Sequence, residues 1–407
     1  MSGLAAALAL SEAGADVVLY DQAAQAGGRA RSFHDPAIDR LIDNGNHLLL
    51  SGNHAALDYL GHIDAADRLT GPDSARFDFF ELDTGERWSI DLNRGPVPLW
   101  VLYSSRRVPG TSLSDYVQGL KLLTAGDRTV ADLFGQQGAL YRRFWEPFAV
   151  AVLNTAPDQA AARLLVPVIR ETLARGADAS IPLIARRGLS DTFVDPALDE
   201  LSRKGAEIRL GSRVVGLEFE GDRLTGIALS RGLERLAPGD AAVLATPPWT
   251  AAELSPGLTV PDAFAPIVNV HFRVNGALGP LASTPVLGLV GGTAQWLFVR
   301  DDVVSVTVSA ALALAERPAP DIAAIVWPEV ARALDRTPDD MPPVRVVKER
   351  RATFLASPAQ IARRPAPQTS LRNLVLAGDY TDTGLPATIE GAIRSGRAAA
   401  RLVLCGR

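Results

Sequence analysis

The 407-residue chain holds one cysteine, Cys405, two methionines and five histidines. A single thiol excludes an internal disulfide and fits a reducing compartment. The histidines are scattered, without cysteines or close acids at a ligand spacing, so no structural metal is expected. No apolar run reaches the roughly 18 residues that span a bilayer, so any membrane contact should be made from the surface. Nor does one sign of charge dominate: 41 basic and 46 acidic residues are mixed along the chain, for a net charge of −5. That excludes the basic field that nucleic-acid binding needs. No Lys or Arg precedes Arg29, so the apolar N-terminus lacks the positive region of a secretory leader. A cytoplasmic location is expected, with peripheral contact at the inner membrane face left open.

Hydrophobic residues make up 47% of the chain, enough to fill two or three domains' worth of core. The opening stretch "MSGLAAALALSEAGADVVLYD" predicts a small-residue helix, a turn at Gly14 and an apolar strand ending at Asp21. That is the second half of a strand-helix-strand unit. In a dinucleotide-binding unit, G-x-G-x-x-G precedes such a helix and an acid that holds ribose follows roughly 20 residues on. Gly3 fits the third glycine and Asp21 the acid. The expectation is that about 10 further residues, a strand and two glycines, belong upstream of Met1.

Further along, "RFDFFELDTGERWSIDL" reads as a hairpin turning at residues 83–86. Ser112 with Asp115 and Thr129 with Asp132 are capping signals, and helix is predicted over 133–153 and 160–173. Strand and helix patterns resume at 188 and again near the C-terminus. They predict an α/β fold: a Rossmann-like FAD-binding domain, its N-terminal strand missing, with an inserted mixed α+β substrate domain. The FAD-binding parts are placed at 1–60, 188–255 and 345–407, and the substrate-binding parts at 61–187 and 256–344.

Four motifs carry chemistry. "GGRARS" at 27–32 pairs glycines that admit a close ligand with Arg29, a positive fork suited to phosphate. "DNGNHLLLSGN" at 43–53 contains Asn44-Gly45, which is also a common type I′ hairpin dipeptide. "LVLAGD" at 374–379 sets Asp379 at the carboxyl end of an apolar strand, where open α/β sheets bind ligands. "TIEGAIRSG" at 388–396 opens a helix whose unpaired N–H groups suit an anion or a carbonyl-rich ring.

In this order, with the strand before Thr246-Pro247-Pro248, these motifs resemble the flavin-containing amine oxidase and phytoene desaturase superfamily, which binds FAD. The resemblance implies that Gly3 belongs to the pyrophosphate loop and Asp21 holds the adenosine ribose. It implies that Gly28 and Arg29 lie along pyrophosphate and flavin, that Val214 offers its backbone to adenine, and that Gly378 and Asp379 sit near the ribityl chain. Ile389, Glu390 and Ala392 would border the flavin ring. "RFWEPFAVAVLNT", "PIVNVHFRV" and "ERRATF" further resemble the squalene-associated branch, the hydroxysqualene dehydroxylases. That likeness implies a long apolar isoprenoid substrate and an unidentified electron donor. His47, Glu390 or a bound water would supply the proton. Phe79, Phe80, Trp88, Phe144, Trp145, Phe148, Trp296 and Phe298 are expected to line an apolar tunnel. Trp100 and Tyr103 beside Arg106 and Arg107 make a mixture suited either to a membrane interface or to a solvated rim. Two other classes remain: a desaturase or oxidase of a carotenoid precursor or an amine, and a flavin-free lipid-binding protein.

Overall fold

A computed structural model describes residues 1–406. The Ala/Leu run forms the helix Ser2–Glu12, which ends where Gly14 takes a φ of 80°. The strand Val18–Tyr20 follows and pairs in parallel with Glu207–Arg209. A second parallel pair joins Ala242–Leu244 to Leu374–Leu376. The terminal helix Ile389–Cys405 lies against the first helix, and the two cross at Gly396. A Cβ there would collide with the Ser2 carbonyl oxygen and come within 3.0 Å of the Ala5 Cβ. Helices packed on short parallel strands give the Rossmann-like layer expected from the opening stretch.

Beside it stands a seven-stranded sheet in the order Val344–Phe354, Phe264–Arg273, Val303–Val308, Trp296–Arg300, Val286–Val290, Arg76–Glu81 and Arg87–Asp91. Side chains alternate across it. One face presents Phe80, Val268, Val270, Phe272, Leu297 and Val306 to the helix Ala319–Ala333 and forms a dry core. The other face has two zones. Asn269, His271, Ser305 and Thr307 make a buried polar zone, while Phe79, Trp88 and Trp296 belong to the core that also holds Phe134 and Trp145.

Three expectations are corrected. The strand Val344–Phe354, assigned with 345–407 to the FAD-binding part, is the edge of the large sheet, because its apolar positions pair along Phe264–Arg273. Helix does not run unbroken over 133–153. Val130–Phe134 stops at Gly135 (φ 72°), and helix resumes only after Gly138 (φ 89°). Asn44-Gly45 is not a hairpin turn: the local hairpin joins Ser32–Asp35 to Arg40–Asp43, and Asp39 (φ 49°) supplies its left-handed residue.

Candidate active site

The residues assigned to FAD converge at the carboxyl ends of the parallel strands. Gly3 packs where a Cβ would lie 3.2 Å from the Ala245 Cβ, the close helix-strand approach expected of a third glycine. Asp21 follows its strand directly. Its Oδ1 accepts from the Ala23 N–H (2.8 Å), and its carbonyl accepts from the Ser212 N–H (2.8 Å). That second bond brings Val214, at the start of the strand Val214–Glu220, beside the acid. Gly27 and Gly28 both have positive φ, and no atom lies within 4 Å of where a Gly28 Cβ would point, so a ligand can approach the backbone.

Arg29 and Asp379 meet across this space. The guanidinium donates to the Asp379 carboxylate (2.8 Å) and to the Ala352 carbonyl (2.5 Å). Burial works against the Arg29 charge, but Asp379 overcomes it and holds the guanidinium above its usual pKa. Gly378 cannot carry a side chain, since its Cβ would strike the Tyr380 ring, and its N–H donates to the Ser395 hydroxyl (2.9 Å). The buried Arg364 binds the carbonyls of Asp379, Tyr380 and Thr381 and so fixes this loop. Sequence reasoning missed it because "AQIARRP" carries no motif.

At the start of the terminal helix, Thr388 accepts from the Gly391 N–H (3.1 Å), while the N–H groups of Ile389 and Glu390 precede the first intrahelical bond. Those two donors, with Ala392 one turn on, suit the edge of a carbonyl-rich ring. Glu390, one of the candidate acids, is tied into a second helix. Its carboxylate accepts from the Ala55 and Ala56 N–H groups (3.1 and 2.8 Å) and from Arg394 (2.8 Å), which caps the helix His54–His62 and occupies both oxygens. His47 is half-buried near Arg29. Burial pushes its imidazole below the usual value, the Arg29 charge adds to this, and Asp43 and a bond to the Arg29 backbone oppose it.

Between this region and the large sheet runs a polar chain that the sequence did not reveal. Asn46 donates to the Thr307 hydroxyl (2.9 Å), which donates to Asn269 (2.9 Å), and Asn269 donates to the Asn44 carbonyl (3.3 Å). Asp43 ties in Ser32, the Leu189 N–H and Arg300. The one available signal was the alternation in "PIVNVHFRV", which sets Asn269, His271 and Arg273 on one face. Of the aromatic residues, Phe79, Trp88 and Trp296 cluster: Phe79 stacks on Trp88 (5.5 Å) and meets the Trp296 edge (5.7 Å). Phe298 shares the Trp296 face of its strand, and Trp145 stacks on Phe134. Phe80 is corrected. It points to the opposite core beneath Arg87, as it must when its strand neighbour Phe79 faces the other way.

His271 makes one further consequence measurable. Its Nδ1 is 2.7 Å from the Ser305 hydroxyl, its Nε2 is buried without a partner, and burial lowers its pKa from 6.5 to about 4. Arg300 and Arg345 add to the shift, while Asp43 and Asp35 oppose it. A histidine depressed in the folded state contributes stability above its unfolded pKa that is lost as pH falls toward the folded value. On the order of 3 kcal/mol should disappear between pH 6.5 and 4 from this group. Urea titrations of parent and His271→Gln across that window should show a shallower acid limb in the variant, and equal slopes would remove His271 as the cause.

A family profile for flavin-containing amine oxidoreductases matches residues 1–404. The chain belongs to this family. Hydroxysqualene dehydroxylase of Sinorhizobium fredii is 44% identical over 405 residues, covering 99% of this chain and 96% of the relative. That of Rhodopseudomonas palustris is 45% identical over 406 residues, with the same coverage. Cyclohexylamine oxidase from Brevibacterium oxydans shares the fold at a TM-score of 0.71 and 14% identity, over 99% of this chain and 96% of that one. This member of the family is an FAD-dependent oxidoreductase. The residues present fit the cofactor: Asp21 directly follows a strand of the parallel layer, the Gly28 backbone is open beside Arg29, and the terminal helix begins with N–H groups free of intrahelical bonds.

Proposed function

We propose that the chain removes the allylic hydroxyl of hydroxysqualene reductively, giving squalene and water in triterpenoid biosynthesis. The observation that carries this reading is the split face of the large sheet beside the FAD residues. Its polar zone (Asn46, Asn269, Thr307) suits one hydroxyl, and its aromatic zone (Phe79, Trp88, Trp296) suits a hydrocarbon tail. The similarity to the two dehydroxylases supports the same substrate class. In the balanced reaction a C–O bond breaks, a C–H bond forms, and the departing oxygen leaves as water after taking one proton. The hydride would come from FAD, when bound here and reduced by an external donor.

The chain's own residues hold the geometry. The aromatic zone binds the tail and excludes water from the reacting carbon, which lengthens the life of developing positive charge. Asn46, half-buried at the edge of the polar chain, orients the hydroxyl. His47, Glu390 and a water held in the polar zone are the candidate proton sources, the Glu390 carboxylate being bound by the Ala55 and Ala56 N–H groups and by Arg394. The same proposal divides the chain into an FAD-binding part (1–60, 188–255 and the segment after Phe354) and a substrate-binding part made of the rest.

Purified FAD-loaded protein with a reductant should convert hydroxysqualene and leave phytoene and simple amines unchanged, as read by gas chromatography. Oxidation of either alternative in place of squalene formation would overturn the reading. Phe79→Ala should raise KM several-fold, because it opens the aromatic zone. Phe80→Ala should leave KM alone and cost about 3 kcal/mol of stability, because it empties the helix-facing core. Steady-state kinetics paired with thermal melts separates the two, and equal KM effects would erase the distinction between the faces.

A further inference from the structure

The segment 94–128 has a composition unlike the rest of the chain. It carries five basic residues (Arg94, Arg106, Arg107, Lys121, Arg128) against two acids (Asp115, Asp127), a local net of +3 within a chain of −5. Asp115 is engaged in the cap with Ser112 and Asp127 with Arg163; Arg94 and Arg106 lie 3.5 Å from Asp178 and Asp91, whereas Arg107, Lys121 and Arg128 pair with no carboxylate among the described residues. The capping box at Ser112 starts the turn Leu113–Tyr116, which continues as Val117–Thr124. These turns and Leu99–Leu102 display apolar side chains outward.

Single exposed leucines are ordinary on a protein surface, but clusters are not. Among the described residues, eight of the fifteen exposed large hydrophobic ones fall between Val97 and Leu123, with Leu120 at 64% and Leu123 at 80% exposure. Exposed apolar residues interleaved with basic ones along 94–128 match the two layers of an anionic bilayer: acyl chains for the leucines, phosphates for Arg and Lys. A second copy of the chain fits poorly, since a twofold contact would set this basic segment against itself. Beneath the patch lies the aromatic core. Leu122 is buried, a Cβ on Gly119 would sit 3.6 Å from the Trp145 ring, and Trp100 meets Tyr116 edge-on at 5.4 Å.

We propose that the surface 97–124 seats the protein on an anionic phospholipid bilayer and passes its apolar substrate from the lipid to the aromatic zone beneath. The delivery half rests on the dehydroxylase reading, whereas the docking half does not. The test is co-sedimentation of FAD-loaded protein with vesicles of phosphatidylcholine alone and with phosphatidylglycerol added. The parent should prefer the anionic vesicles, and Leu120→Ser/Leu123→Ser should bind them at least about tenfold more weakly. Arg94→Glu/Lys121→Glu should abolish the preference for phosphatidylglycerol, while Val215→Ser, on a remote exposed strand, should change nothing. Absence of binding by the parent would overturn the proposal. So would undiminished binding by the leucine variant, or a parent dimer that the leucine variant dissolves. Conversion of detergent-solubilised hydroxysqualene reads the reaction separately: the leucine variant should retain it while losing turnover of vesicle-embedded substrate.

Discussion

Asp379→Ala is expected to strip most of the flavin from the purified protein. The carboxylate ends an apolar strand, is 10% exposed, and holds Arg29 at 2.8 Å. In the proposed cofactor site its loss would deprive FAD of an acceptor, and it leaves the partly buried guanidinium facing only the Ala352 carbonyl. A third of the Arg29 side chain remains in solvent, which softens the penalty, so the lost interaction is placed at about 1–3 kcal/mol. That corresponds to a fall in FAD affinity of roughly five- to 150-fold. Asp379→Asn, which keeps one acceptor, should fall between parent and alanine variant. Flavin titration by fluorescence quenching checks the order, and a parent-like affinity in the alanine variant would place Asp379 outside the cofactor site.

Gly396→Val should be the most damaging substitution outside the site. The first and terminal helices touch at Gly396, where even a methyl would meet the Ser2 carbonyl oxygen and the Ala6 nitrogen. Neither is a flexible side-chain end that could swing aside, so one helix must move as a body. Overpacking of this kind costs about 1–3 kcal/mol and occasionally more. The movement has a functional cost too, because the first helix carries Gly3 and the terminal helix presents Ile389 and Glu390. A lowered melting temperature together with a lowered flavin-to-protein ratio is expected. A stable variant with full flavin would show that the crossing is loose.

Residues acting through local backbone rules were the legible ones. The opening helix with its close packing at Gly3, the strand that ends before Asp21 and the 83–86 hairpin follow from local pattern, and both capping boxes formed where Ser112 and Thr129 signalled them. Phe80 was misassigned although its strand held the answer, since adjacent strand residues face opposite ways. Other failures were tertiary. Asn44-Gly45 has the chemistry of a tight turn, but its carbonyl is claimed by Asn269, more than 200 positions away. Glu390 sits at a helix start beside the expected flavin edge, yet its carboxylate caps a different helix through Ala55 and Ala56. Arg364 supports the Asp379 loop by three carbonyl contacts that no local pattern encodes. Each of these depends on chain segments brought together only by the fold.

The central claim is that reduced FAD in this chain gives its hydride to the carbon that loses the hydroxyl. Anaerobic single turnover tests it most directly: reduce the bound flavin fully, remove excess reductant, add hydroxysqualene, and follow flavin absorbance while quenching samples for gas chromatography. One flavin should reoxidise for each squalene formed. Flavin that stays reduced in the presence of hydroxysqualene, or that reoxidises without squalene appearing, would contradict the account.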